Sequence, residues 1–266
     1  MSIYLQLTRQ FNQGRLRAIL SGGQAVVMHR LAIMSKDGDW ILREDEESMR
    51  HVLAVLDANG AHYRFGAPLD IRWLSAGWSA HLEFMGHGLR VRTDFVTRPP
   101  RLSAERLDGL WREQDAKNQA PFLGARDLVE TKKTNREKDY AVIGELARGM
   151  VDIDDQLMCS RSARDLMELA AQRPDRVIAL TSQRPVLAAI AEGPEALEVA
   201  LDAERRRLMH ANEARLAMYM SAAEPWARVW HEISREMEAM PLAAAHSLMV
   251  DRAGTKLPFT VPGGWP

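Results

Sequence analysis

The spacing of apolar and polar positions changes character partway along the chain. Residues 5–20 carry the spacing of a short amphipathic helix. The run AILSGGQAVVMHRL (18–31) passes from a short apolar piece through Ser21-Gly22-Gly23 into a second predicted helix. Paired glycines let backbone approach backbone or ligand closely, and the helix start behind them offers N–H groups. DGDWIL (37–42) reads as a strand. In REDEESMRHVLAVLDANG (43–60), Met49, Val52, Leu53 and Leu56 form one apolar helix face, acidic residues crowd the first turn, and Asn59-Gly60 ends it. Three strand-like pieces follow, DIRWL (70–74), AHLEFM (80–85) and LRVRTDFV (89–96), parted by turns at Gly77 and at GHG (86–88). The prolines of TRPPRL (97–102) then stop both helix and ladder. This order predicts an α+β domain over residues 1–102 that ends in an antiparallel meander.

Beyond residue 103 the pattern is helical. SAERLDGLWREQ, GARDLVETKKTNREKDYAVIGELARGM, SARDLMELAAQRPD and RPVLAAIAEG all have helical spacing. The longest predicted helix is 194–222, with Pro194 in its first turn and Leu197, Leu201, Leu208, Ala211 and Met218 as an apolar stripe. Pro225 interrupts it. A helical domain is expected over 103–253, and the Pro/Gly-rich stretch 254–266 is expected to run extended over the surface.

Composition narrows the class. The chain has 266 residues, 46% of them hydrophobic, enough for one large or two modest domains. Net charge is −1, so any basic site must be local. One cysteine, Cys159, excludes an internal disulfide, and a reducing, cytoplasmic setting is the expectation. The first residues are too polar for a signal peptide, and no run approaches the roughly 20 apolar residues of a membrane span.

Chemistry concentrates in carboxylates. Asp37 and Asp39, two apart on a strand, point to one face, with Trp40 and Leu42 on the other. Asp94 shares a face of LRVRTDFV with Arg90 and Arg92. If the two strands are neighbours, three carboxylates converge, and they cannot all ionise without compensation. A hard dication such as Mg²⁺ or Mn²⁺ supplies it. The plain alternatives are a polar turn at 37–39, an Asp94 paired to Arg92 or Arg98, and a Ser-Gly-Gly tight turn without a ligand.

The order of these pieces resembles the nucleotidyltransferase superfamily. Its signature is a Gly-Gly turn opening a helix, an Asp-x-Asp strand and a later strand with one Asp, here LSGGQAVVMHRL, SKDGDWIL and LRVRTDFV. ARDLVETKKTNREKDYAVIGELAR (125–148) is similar to a segment of the small bacterial abortive-infection and toxin-type members. The resemblance covers roughly residues 15–148 and is specific for superfamily rather than substrate. It implies a mixed or antiparallel sheet with flanking helices, and a bound nucleoside triphosphate as substrate. It also implies that Ser21, Gly22 and Gly23 cradle phosphates, and that Asp37, Asp39 and Asp94 bind metal, Asp94 alternatively serving as base. Lys132 and Arg136 would face the triphosphate, with Lys133 as a substitute for Lys132, and Asp139 would orient one of them. Gly38 departs from the pattern, since members often carry an apolar residue there.

The expected function is therefore metal-dependent transfer of a nucleoside monophosphate to an acceptor hydroxyl of RNA, protein or a small molecule. The toxin-type resemblance adds a cognate antitoxin as an expected partner. The rival expectation is a catalytically inactive module that keeps the fold for interaction. Arg72, Trp73, Trp78 and His81 form either an acceptor-binding wall or meander core. Trp226 and Trp230, at i and i+4, read as packing, the basic run ERRRLMH (204–210) as a solvated face, and Cys159 as lacking a base.

Overall fold

The computed structural model of the chain describes residues 2–86, 88–115 and 121–261. It contains two compact units, Met1–Leu123 with Arg215–Pro266, and Gly124–Ala214. In the first unit α1 (Ile3–Phe11) stops early, because Gly14 turns the chain at φ +80°. The rest of the stretch expected as helix supplies β1 (Ala18–Ser21). Then come α2 (Gly22–Met28), β2 (Asp37–Leu42) and α3 (Glu46–Ala58). The Asp45 carboxylate caps α3 by accepting the Ser48 N–H at 2.7 Å, and Glu46 and Glu47 favour the positive end of the helix.

DIRWL is not a strand. After the two-residue β3 (His62–Tyr63) it forms α4 (Ile71–Leu74), a single turn. The Asp70 carboxylate accepts the Arg72 N–H at 2.9 Å, a cap that outweighs the short apolar–polar alternation. β4 (Ala80–Gly86) and β5 (Leu89–Val96) form the expected hairpin, with Gly88 at φ +75° in its turn; His87 lies outside the described residues. The sheet order is β1-β2-β5-β4-β3. Only β2 and β5 run parallel, so this five-stranded sheet is mixed rather than a plain meander.

One face of the sheet makes the core. Trp40 and Leu42 of β2, Val91 and Phe95 of β5, and Ala80, Leu82 and Phe84 of β4 are buried with Leu7 and Phe11 of α1 and Val52 and Leu56 of α3. The Trp40 ring stacks on Phe95 at 5.5 Å, meets the edge of Phe11 at 5.3 Å, and donates its indole N–H to Thr8 Oγ1 at 2.9 Å.

After α5 (Ala104–Asp115) the second unit holds α6 (Ala125–Lys132), α7 (Glu137–Arg148), α8 (Ile153–Cys159), α9 (Ala163–Gln172) and α10 (Pro174–Leu180). A 3₁₀ helix, Pro185–Glu192, leads into α11 (Pro194–Ala222). Its core gathers Leu157, Leu166, Leu187, Leu197 and Leu201. The chain re-enters the first unit at Arg215, within α11, and continues in α12 (Glu224–Met237) and α13 (Leu242–Lys256), whose Trp226, Ile233, Met249 and Ala253 join its core.

The expected division into 1–102 and 103–253 therefore gives way to a sheet unit built from both ends of the chain. Nor is the stretch from 254 all extended surface: α13 reaches Lys256, and Leu257 and Val261 are buried. Residues 262–266 lie outside the described residues. Among the described residues no helix is long and apolar enough to cross a membrane.

Candidate active site

The second face of the sheet is polar and half-exposed. Alternation along the strands puts Asp37 and Asp39 of β2, Arg92 and Asp94 of β5, and His81 and Glu83 of β4 there. Asp37 is the register partner of Arg92, and Asp39 of Asp94. Neighbouring strands lie about 4.8 Å apart, so the backbone brings the third aspartate beside the Asp-x-Asp pair.

The side chains divide more finely. Asp37 Oδ1 is buried without a hydrogen-bond partner, and Arg92 Nη1 approaches it only to 3.7 Å. Tyr4 donates its hydroxyl to the Lys36 carbonyl at 2.5 Å; burial, and then the charge of Asp37, raise its pKa above the ordinary value. The Asp39 carboxylate lies against Gly22, where φ is +55° and an added Cβ would fall 1.9 Å from Asp39 Oδ2. Ser21 Oγ donates to the Asp39 carbonyl at 3.2 Å, and Gly23 packs against Ser35. Gln24 donates to the Ser35 carbonyl at 2.8 Å, tying the turn before β2 to α2.

Gly38 points the other way, into the core, where a Cβ would come within 2.5 Å of Tyr4 and 2.4 Å of Trp40. The glycine at this position thus has a packing cause, since two rings occupy the space a side chain would need.

Asp94 Oδ1 accepts from Arg64 Nη2 at 2.8 Å and contacts His81 Nδ1 at 2.8 Å. His81 Nε2 in turn meets Ser79 Oγ at 2.8 Å. Glu83 lies within ion-pair distance of His62, Arg90 and Arg92. Among the described residues no three His, Cys, Asp or Glu side chains gather as a metal-binding group. The expected three-carboxylate convergence is present in strand register, but the Asp94 side chain is turned toward two cationic or imidazole partners. Asp37 and Asp39 do fit a hard dication: both donors are carboxylates on one strand face, and one buried oxygen lacks a hydrogen bond.

Two cavities flank this pair of register partners. One, of about 650 Å³, opens beside Asp37 between Tyr4, Gln24, Met28, Met34 and Arg92. The other, of about 380 Å³, lies past His81, between Trp78, Tyr219, Trp226, Leu216 and Arg215.

The predicted triphosphate cations belong to the second unit. Lys132 Nζ pairs with Asp139 Oδ1 at 3.3 Å, both side chains nearly buried. Thr134 Oγ1 and Arg136 Nε donate to Asp139 Oδ2 at 2.6 and 2.9 Å. Asp139 therefore holds both cations rather than one, while Lys133 reaches Glu130 at 2.6 Å.

Of the expected aromatic wall, Trp78 and His81 line the smaller cavity. Trp73 is core, its N–H donated to the Leu257 carbonyl, and Arg72 pairs with Asp70. Cys159 is buried, and burial pushes its thiol pKa up. Sequence reasoning missed Arg64, Ser79, Arg215 and Tyr219. Alternation from His81 could have found Ser79; nothing local marks Arg215 or Tyr219, which arrive from a distant helix. No protein-family profile, curated protein or solved structure matches this chain.

Proposed function

We propose that the protein is a metal-dependent nucleotidyltransferase acting from the open face of its sheet. The observation that carries the reading is the register of Asp39 with Asp94 across the parallel pair β2–β5, with Asp37 on the same face. Asp37 and Asp39 would hold Mg²⁺ or Mn²⁺, which when bound neutralises phosphate charge and orients the triphosphate. Ser21, Gly22 and Gly23, already against Asp39 and Ser35, would approach the phosphates by backbone. The larger cavity beside Asp37 is roomy enough for the rest of a nucleotide, since ligand sites run to about 300–1,000 Å³.

In the reaction an acceptor hydroxyl oxygen forms a bond to the α-phosphorus and the bond to the β-phosphate oxygen breaks, releasing pyrophosphate. Asp94 assists removal of the hydroxyl proton, and Arg64 and His81 fix its orientation.

Transfer of α-phosphate label from each triphosphate to RNA, to the protein itself and to aminoglycosides tests the reading. Asp37→Ala and Asp39→Ala should each abolish transfer while the melting temperature stays near the parent value; a variant that keeps full transfer would refute the assignment.

The second reading is a module that has lost turnover. The occupation of Asp94 by Arg64 and His81 favours it, and it predicts no transfer from any triphosphate.

A further inference from the structure

We infer that the smaller cavity binds a nucleoside unit, its base among the aromatic walls and a ring acceptor turned to Arg215. The cavity has flat apolar walls with polar groups at defined points, the make-up of a small-ligand site. Trp78 and Tyr219 meet edge to face at 4.9 Å, and Trp226 lines the cavity with them. Phe65, Leu216 and Met220 leave an apolar mouth exposed. The Arg215 guanidinium lies 4.9 Å over the Tyr219 ring, and its Nε is buried with no hydrogen-bond partner among the described residues. A buried donor left unpaired is costly, and an acceptor at the edge of a heteroaromatic ring would satisfy it.

His81 also lines the cavity, its two ring nitrogens held by Asp94 and Ser79 at 2.8 Å each. A purely apolar ligand would leave Arg215 Nε unpaired. A tyrosine side chain supplies ring and hydroxyl but no ring acceptor for Arg215. Position argues the same way. Along β5 the larger cavity borders residues 89–92 and the smaller one begins at Val96, so Asp94 lies between them. A donor nucleotide at one end and an acceptor nucleoside at the other would meet at the Asp39–Asp94 pair. Naming a hydroxyl of the bound nucleoside as the acceptor rests on the nucleotidyl-transfer reading; the binding rests on the cavity alone.

The test is calorimetry on the full chain, without metal or triphosphate. The probes are adenosine, guanosine, cytidine, uridine, RNA trinucleotides and a tyrosine-containing peptide. At least one nucleoside or trinucleotide should bind saturably. Arg215→Gln and Leu216→Trp, which fills the mouth, should each weaken that binding about 10- to 100-fold, the worth of one stacked base. Their melting temperature and their titration with Mg²⁺-triphosphates should match the parent. Tighter binding of a trinucleotide than of its nucleosides identifies a strand end as the source, and the reverse identifies a free nucleoside. No binding, binding unchanged in both variants, or preference for the peptide overturns the proposal. If nucleosides bind as described while no triphosphate does, the transferase reading fails and this site stands. Triphosphate binding without nucleoside binding removes this site and leaves the transferase reading standing.

Discussion

Gly38 lies between two carboxylates and beneath two rings, and it shows how the site is set residue by residue. The alternation of Asp37, Gly38, Asp39 and Trp40 made the two faces of β2 legible from sequence. The reason for the glycine was not, because Tyr4 reaches it from a helix at the other end of the packing. Gly38→Val would put an apolar side chain between the two carboxylates. It should destabilise the chain by about 1–3 kcal/mol, the usual cost of overpacking, since its Cβ would meet Tyr4 and Trp40 well inside contact distance. Urea denaturation measures this, and an unchanged midpoint would contradict the packing cause. Asp94 teaches the converse: its face and strand were readable, but its ties to Arg64 and His81 depend on tertiary register and could not be seen.

Elements of ordinary length were readable because their periodicity extends over several turns or pleats. LRVRTDFV forms β5 and 194–222 forms α11 as the pattern indicates. DIRWL was misread because four or five residues cannot separate a strand from one helical turn. The pairing of helices in the second unit was also hidden, and with it a charge cluster. Glu204 on α11 accepts from Arg184 Nη2 at 2.9 Å and pairs with Arg161. Burial alone would raise the Glu204 pKa, but hydrogen bonds and charge from Arg184 and Arg161 outweigh it and hold the carboxyl below its ordinary value of 4.5. A lowered folded-state pKa means that this contribution to stability is present above pH about 4.5. It is lost as pH falls through the folded value. Thermal melts across acid pH should therefore show a steeper loss in the parent than in Glu204→Gln. At neutral pH that variant should be less stable by about 3–5 kcal/mol, because two nearly buried guanidinium groups lose their counter-charge. Equal pH profiles would show that the cluster adds nothing to stability.

At the scale of the molecule, chain order misleads. The composition shift near residue 103 suggested a sheet domain followed by a helical one, yet α12 and α13 return to complete the sheet unit. Trp226 donates its N–H to the Gly66 carbonyl at 2.9 Å, and Tyr63 Oη meets His246 Nδ1 at 2.7 Å. Such long-range docking leaves no local sequence signal. A fragment of residues 1–123 lacks these partners and should show no cooperative thermal transition by circular dichroism, whereas the full chain should; a cooperative fragment would show that the first half is self-sufficient. Nucleotide binding at the Asp37–Asp39 face is best probed by calorimetric titration of the full chain with Mg²⁺ and ATP, CTP, GTP or UTP, beside Asp39→Asn. The parent should bind at least one triphosphate saturably, and the variant should lose that binding at unchanged melting temperature. Silence with all four triphosphates, or equal binding by Asp39→Asn, would contradict a nucleotide site on this face.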